Sequence, residues 1–122
     1  MALNILILDD SEMMRKRIAR ALRQSGLDTS VAAEAENGIK GLEALTSQSV
    51  DLVLCDWNMP EMDGLQFIKE ARKEFKTPIV MLTTESSQER IMEAMEAGAD
   101  GYVTKPFTPE KLAMKLSLIL GI

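Results

Sequence analysis

Short apolar runs alternate with amphipathic stretches along the chain. The runs are rich in Leu, Ile and Val, which is typical of strands that are buried on both faces of a sheet. One run is weaker because it contains alanines and Glu34, so we predict that it forms an edge strand. The predicted strands are Leu3–Leu8, about Ser30–Glu34, Leu52–Cys55, Pro78–Leu82 and Gly101–Thr104.

The amphipathic stretches predict helices, because apolar side chains recur in them every three or four residues. Ser11, Asn37 and Thr108 are predicted N-caps, and Pro109 suits the first position of the last helix. The third helix is predicted from about residue 65 to residue 73, and the fourth from Ser86 or Ser87. The apolar positions of the helices are Met14, Ile18, Ala21 and Leu22; Ile39, Leu42 and Leu45; Leu65, Ile68 and Ala71; Ile91, Ala94 and Met95; and Leu112, Leu116, Ile119 and Leu120.

Five successive βα units predict an α/β fold, in which a parallel sheet is covered by helices on both faces. Right-handed crossovers restrict the order in which the strands can be arranged. The length of 122 residues fits one domain. We therefore expect a single domain over residues 1–122, without an output domain.

Composition excludes several classes of protein. The net charge of −5 argues against binding nucleic acid over the whole surface. Cys55 is the only cysteine, which excludes an internal disulfide, and its place on a buried strand predicts a core residue. Histidine is absent, and no apolar run approaches the ~18 residues of a membrane span. We expect a cytoplasmic protein whose nine methionines mostly fill the core.

Polar side chains follow four of the predicted strands. Asp9 and Asp10 follow the first, Asp56 the third, and Thr83 and Lys105 the fourth and fifth. Strand ends commonly meet solvent, so any one of these residues could be polar for that reason alone. In parallel sheets, however, ligands bind beyond the carboxyl ends of the strands. Three carboxylates, a hydroxyl and an ammonium together predict a site for a hard cation and a phosphoryl group.

Four motifs in order give the chain a specific family resemblance. They are Leu8-Asp9-Asp10; Asp56-Trp57-Asn58-Met59-Pro60 with Asp63-Gly64; Thr83-Thr84-Glu85; and Gly101-Tyr102-Val103-Thr104-Lys105-Pro106-Phe107. With them the chain resembles the receiver domains of bacterial response regulators over its full length. It is most similar to the single-domain, chemotaxis-type CheY-like members. The resemblance implies a flavodoxin-like (βα)5 fold with strand order 2-1-3-4-5.

The resemblance also implies a chemistry for the site. Asp56 would be the phosphoacceptor, a carboxylate nucleophile that forms an aspartyl phosphate. Mg²⁺ would be the cofactor, bound by Asp10, Asp56 and the backbone carbonyl of Asn58, with Asp9 acting through water. Lys105, together with Thr83 or the backbone amide of Trp57, would bind the phosphoryl oxygens. The Lys105–Pro106 peptide bond is expected to be cis.

A route from the site to the surface follows from the same resemblance. Thr83 and Tyr102 would form the switch, although Tyr102 could simply cover the edge of the sheet. Asn58, Thr84 and Glu85 would tune the lifetime of the phosphoryl group. The implied output face comprises Ile91, Tyr102, Thr104, Met114, Lys115 and Leu118. Exposed Met114 and Leu118 would suggest a partner or dimer contact, but scattered exposed apolar residues are also normal.

The implied function is a phosphorylation-activated switch of a two-component system, not an enzyme beyond its own phosphorylation and autodephosphorylation. Expected partners are a sensor histidine kinase, a downstream target such as a flagellar motor or chemotaxis component, and a phosphatase. We expect no nucleic acid, no membrane, and a monomer or weak dimer. The first helix could steer an acidic kinase or could merely be solvated; its basic residues are Arg15, Lys16, Arg17, Arg20 and Arg23.

Other functions remain open. The same fold could serve as a phosphate sink or as an adaptor that works without phosphorylation, although none of the site residues is missing. A haloacid-dehalogenase-like phosphatase would need an aspartate at position 58, where Asn58 stands. A flavodoxin-like protein would need a phosphate-binding loop after the first strand, and Asp9 and Asp10 would repel the phosphate there.

Overall fold

The computed structural model describes residues 2–122, in which five strands alternate with five helices. All strand pairs are parallel, and the strand order is β2-β1-β3-β4-β5. This confirms the predicted α/β fold and its strand order. The elements are β1 (Leu3–Leu8), α1 (Glu12–Gln24), β2 (Thr29–Ala35), α2 (Gly38–Ser47), β3 (Leu52–Cys55), α3 (Gly64–Ala71), β4 (Ile79–Thr83), α4 (Gln88–Ala97), β5 (Gly101–Thr104) and α5 (Pro109–Leu120).

The central strands carry the core on both of their faces, because successive side chains of a strand point in opposite directions. On one face Leu6, Val53 and Met81 belong to a cluster that also contains buried residues of α2, α3 and α4. On the other face Ile7 and Leu54 lie with buried residues of α1 and α5. β3 and β4 are completely buried, whereas β2 is an edge strand with exposed positions, as predicted.

Each helix begins at a side chain that caps its backbone amides. The hydroxyl or amide oxygens of Ser11, Asn37 and Thr108 accept hydrogen bonds at 3.2, 2.9 and 3.1 Å, which confirms these predicted caps. Ser87 caps α4 in the same way. Asp63 caps α3 in a reciprocal capping box with the third helical residue, a cap that the sequence analysis missed. The loops after the strands therefore have defined exits into the helices.

The predicted apolar stripes are only partly buried. On α4 only Ala94 is buried, while Met95 is 42% exposed, and on α2 Ile39 is 44% exposed. The prediction that the methionines mostly fill the core is wrong for the described residues. Met59 and Met81 are buried, and Met14 and Met62 are half-buried against the core. The other four described methionines are exposed: Met13, Met92, Met95 and Met114. Met1 lies outside the described residues.

Several boundaries differ slightly from the predicted ones. β4 runs to Thr83, so this residue is the last of its strand. α1 ends at Gln24, and Gly26 follows with a positive φ of 85°. α3 ends at Ala71, two residues before the predicted end.

Within residues 2–122, none of the helices combines the length and the apolarity that crossing a bilayer would require.

Candidate functional site

Strand register brings the predicted site residues together. Leu8 of β1 pairs with Cys55 of β3, and the Asp56 amide donates a hydrogen bond of 2.9 Å to the Leu8 carbonyl. The residues after these two strands, Asp9 and Asp56, are therefore neighbours. On the other side of β3, the Lys105 amide donates to the Thr83 carbonyl at 2.8 Å. One edge of the sheet thus presents the carboxylates, the hydroxyl and the ammonium in a single site.

Asp9 is the most deeply buried acid of the site. Its side chain is 2% exposed and accepts hydrogen bonds from the Lys105 ammonium at 2.8 Å and the Ser11 amide at 2.9 Å. Arg15 donates to the Asp9 backbone carbonyl at 2.7 Å and also pairs with Glu34. Because both of its carboxylate oxygens have donors, Asp9 holds the cationic side chain of Lys105 and the start of α1 in place.

Asp56 is less buried and less completely paired. One carboxylate oxygen accepts the Trp57 amide at 2.7 Å, and the other lies 3.5 Å from the Lys105 ammonium. Burial raises the pKa of Asp56, the positive charge of Lys105 and a hydrogen bond from Thr83 lower it, and the charge of Asp9 raises it again. The net effect raises this pKa, so the ionised form is costly here and would be stabilised by added positive charge.

Three carboxylates converge closely enough to share one metal ion. Asp9, Asp10 and Asp56 each offer an oxygen atom within 4.8 Å of the others. Asp10 is exposed, which leaves room for water molecules on a bound ion. Asn58 is also exposed and lines, with Asp10, a depression of about 420 Å³ beside these acids. An all-oxygen site with an open side suits Mg²⁺, which keeps several of its waters.

Cys55 does not contribute a reactive thiol to this site. Its side chain is fully buried in the core, which confirms the prediction, and burial raises the pKa of the thiol well above its ordinary value. A thiol that stays protonated is a poor nucleophile and a poor metal ligand. The chemistry of the site therefore belongs to its carboxylates, to the Thr83 hydroxyl and to the Lys105 ammonium.

Gly64 allows the loop after Asp56 to pack against α3. A Cβ atom at this position would collide with the Asp56 carbonyl oxygen and would lie 3.0 Å from the Trp57 Cα. The Gly64 amide donates to the Trp57 carbonyl at 2.8 Å. Gly64 belongs to one of the predicted motifs, but this contact depends on tertiary packing and was not predicted.

Thr83 and Tyr102 both contact Glu85, the residue two positions after Thr83. Thr83 is fully buried, and its hydroxyl accepts the Glu85 amide at 3.3 Å. The Tyr102 hydroxyl donates to the Glu85 carbonyl at 2.5 Å. The Asn58 amide donates to the Glu85 carboxylate at 3.4 Å, and Thr84 is exposed. Thr83 and Tyr102, the predicted switch pair, are therefore connected through the backbone amide and carbonyl of Glu85.

The predicted output residues line a shallow groove between α4, β5 and α5. Ile91, Tyr102 and Lys115 are half-buried in it, whereas Leu118 at its rim is 75% exposed. The groove has a volume of about 560 Å³. Met114, 68% exposed, lines an adjoining depression with Tyr102 and exposed Thr104. These side chains form a continuous, partly apolar surface.

Comparison with known proteins agrees with the motifs and the geometry. The family model of the response regulator receiver domain matches residues 5–117. The chain belongs to this family. Among the relatives of this receiver domain, a "Chemotaxis protein CheY homolog" of Campylobacter jejuni is 41% identical, over 98% of this chain and 93% of its own. "Chemotaxis protein CheY1" of Helicobacter pylori is 39% identical, over 98% of both chains.

Solved structures show the same fold. Chemotaxis response regulator CheY4 of Vibrio cholerae matches this receiver domain with a TM-score of 0.83 and 35% identity, over 98% of this chain and 99% of its own. A putative response regulator of Chloroflexus aurantiacus has a TM-score of 0.88, 28% identity and complete coverage of both chains. The receiver domain is thus CheY-like in both sequence and structure, consistent with a two-component signalling switch.

Two arginines contact the site without having been predicted as site residues. Arg15 reaches the Asp9 backbone, and Arg90 lies over the Trp57 ring with its guanidinium carbon 5.0 Å from the ring centroid. No spacing rule could identify the second contact, which joins residues of different βα units. The Lys105–Pro106 bond is cis, as the resemblance implied.

Proposed function

We propose that this receiver domain is a phosphorylation-activated switch whose phosphoacceptor is Asp56. The observation that carries the proposal is the position of the Asp56 carboxylate. One of its oxygens lies 3.5 Å from the Lys105 ammonium, and two further carboxylates are close enough to share a cation with it. A carboxylate nucleophile that has to accept an anion needs positive charge on both sides.

In the proposed reaction, a carboxylate oxygen of Asp56 attacks the phosphorus atom of a phosphohistidine on a sensor kinase. The new bond joins this oxygen to phosphorus, the phosphorus–nitrogen bond breaks, and the imidazole takes up a proton as it leaves. Bound Mg²⁺ would offset the negative charge of the acids and the phosphoryl group, held by Asp10, Asp56 and the Asn58 carbonyl. The chain is not an enzyme for other substrates; it assists only its own phosphorylation and dephosphorylation.

Lys105 and Thr83 are the residues of this chain that bind the transferred group. Lys105 is already within reach of Asp56 and is oriented by its 2.8 Å contact with Asp9. The buried Thr83 hydroxyl and the Trp57 amide offer hydrogen bonds to the phosphoryl oxygens. Lys105 is held by Asp9 before the reaction, so little reorganisation of this cation is needed during transfer.

Phosphorylation would reach the surface through Glu85. When the Thr83 hydroxyl turns toward the phosphoryl group, it gives up its contact with the Glu85 amide. The Glu85 carbonyl is the acceptor of the Tyr102 hydroxyl, so the tyrosine responds to the same displacement. Because Tyr102 lines the groove between α4, β5 and α5, this movement would change the surface that a downstream target binds.

The kinase would approach along α1. Arg17 and Arg20 line a pocket of about 540 Å³ that also contains Lys105 and Phe107. Their positive charge contrasts with the net charge of −5 of the chain, and it would attract an acidic partner surface.

The downstream target that we propose is a chemotaxis or motor component, because two relatives are named as chemotaxis proteins. A phosphatase would end the signal. We expect this exchange in the cytoplasm, with the chain as a monomer or weak dimer.

Trp57 provides the experiment, since it is the only tryptophan and follows Asp56 directly. Titration with Mg²⁺ is expected to change its fluorescence, and beryllofluoride, a phosphoryl analogue, to change it further only when Mg²⁺ is present. With acetyl phosphate, mass spectrometry should find one added phosphoryl group. Asp56→Asn should abolish the phosphoryl adduct, whereas Asp28→Asn, at the opposite end of the sheet, should retain it. An adduct of undiminished yield on Asp56→Asn would contradict the proposal.

A further inference from the structure

Arg90 of α4 connects that helix to the loop after the phosphoacceptor. Its guanidinium lies 5.0 Å from the centroid of the Trp57 ring, within the range of a cation–π interaction. Trp57 is 4% exposed, so its ring offers a fixed surface. The contact joins α4 directly to the residue that follows Asp56.

The same guanidinium also contacts two carboxylates. Arg90 Nε lies 3.7 Å from Glu85 Oε1, and Arg90 Nη1 lies 3.5 Å from Glu93 Oε1. The second carboxylate oxygen of Glu85 accepts the Asn58 amide at 3.4 Å. Arg90 therefore holds Glu85 on one side while Asn58 holds it on the other.

These contacts restrict the side chains of Glu85 and Asn58, which stand two positions after Thr83 and two positions after the proposed phosphoacceptor Asp56. Glu85 is fixed through its amide by Thr83, through its carbonyl by Tyr102, and through its carboxylate by Arg90 and Asn58. A carboxylate paired with a guanidinium is a weaker acceptor for a water molecule than a free one, since part of its charge is already offset. Freed from Arg90, Glu85 could turn and orient a water molecule toward the phosphoryl group.

We propose that Arg90 is a positioning residue that prolongs the aspartyl phosphate by holding Glu85 against Asn58. The inference rests on the proposed function of Asp56. The step that Arg90 slows is hydrolysis. A water oxygen attacks phosphorus, the bond between phosphorus and the Asp56 oxygen breaks, and the carboxylate leaves with its electron pair. The water loses a proton, and inorganic phosphate is released.

The main test compares dephosphorylation rates after the phosphodonor, acetyl phosphate, has been removed. Arg90→Ala is expected to hydrolyse about threefold faster than the wild type, a modest change because the contacts of Arg90 are partly exposed. Arg90→Lys keeps the charge and should restore most of the lifetime. Glu93→Gln is the matched control and should stay within about twofold of the wild-type rate, since Glu93 pairs with Arg90 Nη1 and its loss leaves the pair between Arg90 Nε and Glu85 in place. An unchanged or slower rate in Arg90→Ala would overturn the proposal.

A double mutant separates positioning from general structural loss. If Arg90 acts through Glu85, then Arg90→Ala should have no effect on the rate in a Glu85→Ala background. An equal acceleration in both backgrounds would refute this route. The Mg²⁺ affinity measured by Trp57 fluorescence should be the same in Arg90→Ala and the wild type, which a merely disrupted site would not show.

The contact with Trp57 can be measured without phosphorylation. In metal-free, unphosphorylated protein, the emission of Trp57 should change on Arg90→Ala and not on Glu93→Gln, because it is the Arg90 guanidinium that lies over the indole ring. If the wild type took up no phosphoryl group, the proposed function would fail while this spectral difference persisted. If emission were identical in Arg90→Ala and the wild type, the inference about Arg90 would fail by itself.

Discussion

Helices α1 and α4 follow equivalent strand ends but are packed very differently. α1 has 13 residues and buries Ile18, Ala21 and Leu22 against the sheet. α4 has 10 residues and buries only Ala94, and its Met92 is 55% exposed. The helix next to the acidic cluster is thus firmly attached, whereas the helix after the Thr83 loop is loosely attached.

This difference matches what the two regions would have to do. The acids after β1 must remain in place to bind a cation, and Arg15 of α1 secures the Asp9 carbonyl at 2.7 Å. α4 reaches the site through the contacts of Arg90 with Glu85 and with the Trp57 ring, which are individually weak. Elements with few buried apolar contacts are displaced at low free-energy cost, so the proposed switch would need only a small change at Asp56 to displace α4.

The largest expected difference between the two helices is in the cost of truncating a side chain. Leu22→Ala should lower the free energy of unfolding by about 2–5 kcal/mol, because Leu22 is 1% exposed within the core. Met92→Ala on α4 should change it by less than about 0.5 kcal/mol. Urea denaturation followed by Trp57 fluorescence measures both. Equal losses in the two variants would contradict the comparison.

A methyl group at Gly64 tests whether the acceptor loop tolerates movement. Gly64→Ala should cost about 1–3 kcal/mol, because the new Cβ would collide with the Asp56 carbonyl. It should also weaken the fluorescence response to Mg²⁺, since Asp56 must shift. Gly26→Ala is the control: within residues 2–122, and apart from Gly26 and its two chain neighbours, no atom lies within 4 Å of where the new Cβ would be. Its φ of +85° nevertheless makes alanine strained. Gly26→Ala should lower the free energy of unfolding while keeping the wild-type fluorescence response to Mg²⁺. If this variant also lost that response, backbone strain far from Asp56 would be sufficient to weaken Mg²⁺ binding, and the Gly64→Ala result would not report on the Asp56 loop.

The sequence predicted the acidic site beside α1 better than it predicted the packing of α4. Asp9 and Asp56 directly follow the buried strands β1 and β3, and parallel pairing of these strands alone brings the two residues together. The sequence could not show that Asp9 would be the most buried acid of the site, because this burial depends on a contact with Lys105, which is 96 residues away along the chain. On α4, Ile91, Ala94 and Met95 have the spacing of a core stripe. The helix nevertheless packs beside α3 with only Ala94 buried, so the pattern overstated how much is covered.

The charge of Asp56 should lower stability as pH rises. Its pKa is raised in the folded state, first by burial, so the folded protein keeps the proton that the unfolded chain releases above the ordinary pKa of 3.8. Without Mg²⁺, the contribution of Asp56 is therefore present at acid pH and is lost as pH rises through the raised pKa.

Asp56→Asn removes this titration, so it should melt higher than the wild type at neutral pH. This gain in melting temperature should disappear as pH falls to 3.8, the ordinary pKa of an aspartate side chain. Melting temperatures across this pH range measure the effect, with Asp28→Asn as the surface control. A variant that was less stable at neutral pH would show that the Lys105 contact outweighs burial.

The smallest effect, and the most direct comparison of the two helices, comes from their caps. Ser11 and Ser87 each accept a backbone amide at 3.2 Å from the third helical residue, so removing either hydroxyl is the same chemical change. Each serine-to-alanine change should cost about 1 kcal/mol of helix stability. At α1 this cost should appear in global unfolding, because the helix cannot open without exposing Leu22. At α4 it should appear as faster amide hydrogen exchange in the first turn, with little change in global stability, because the helix can open locally. Equal global losses would mean that α4 unfolds only with the core, and such a helix could not move cheaply in response to phosphorylation.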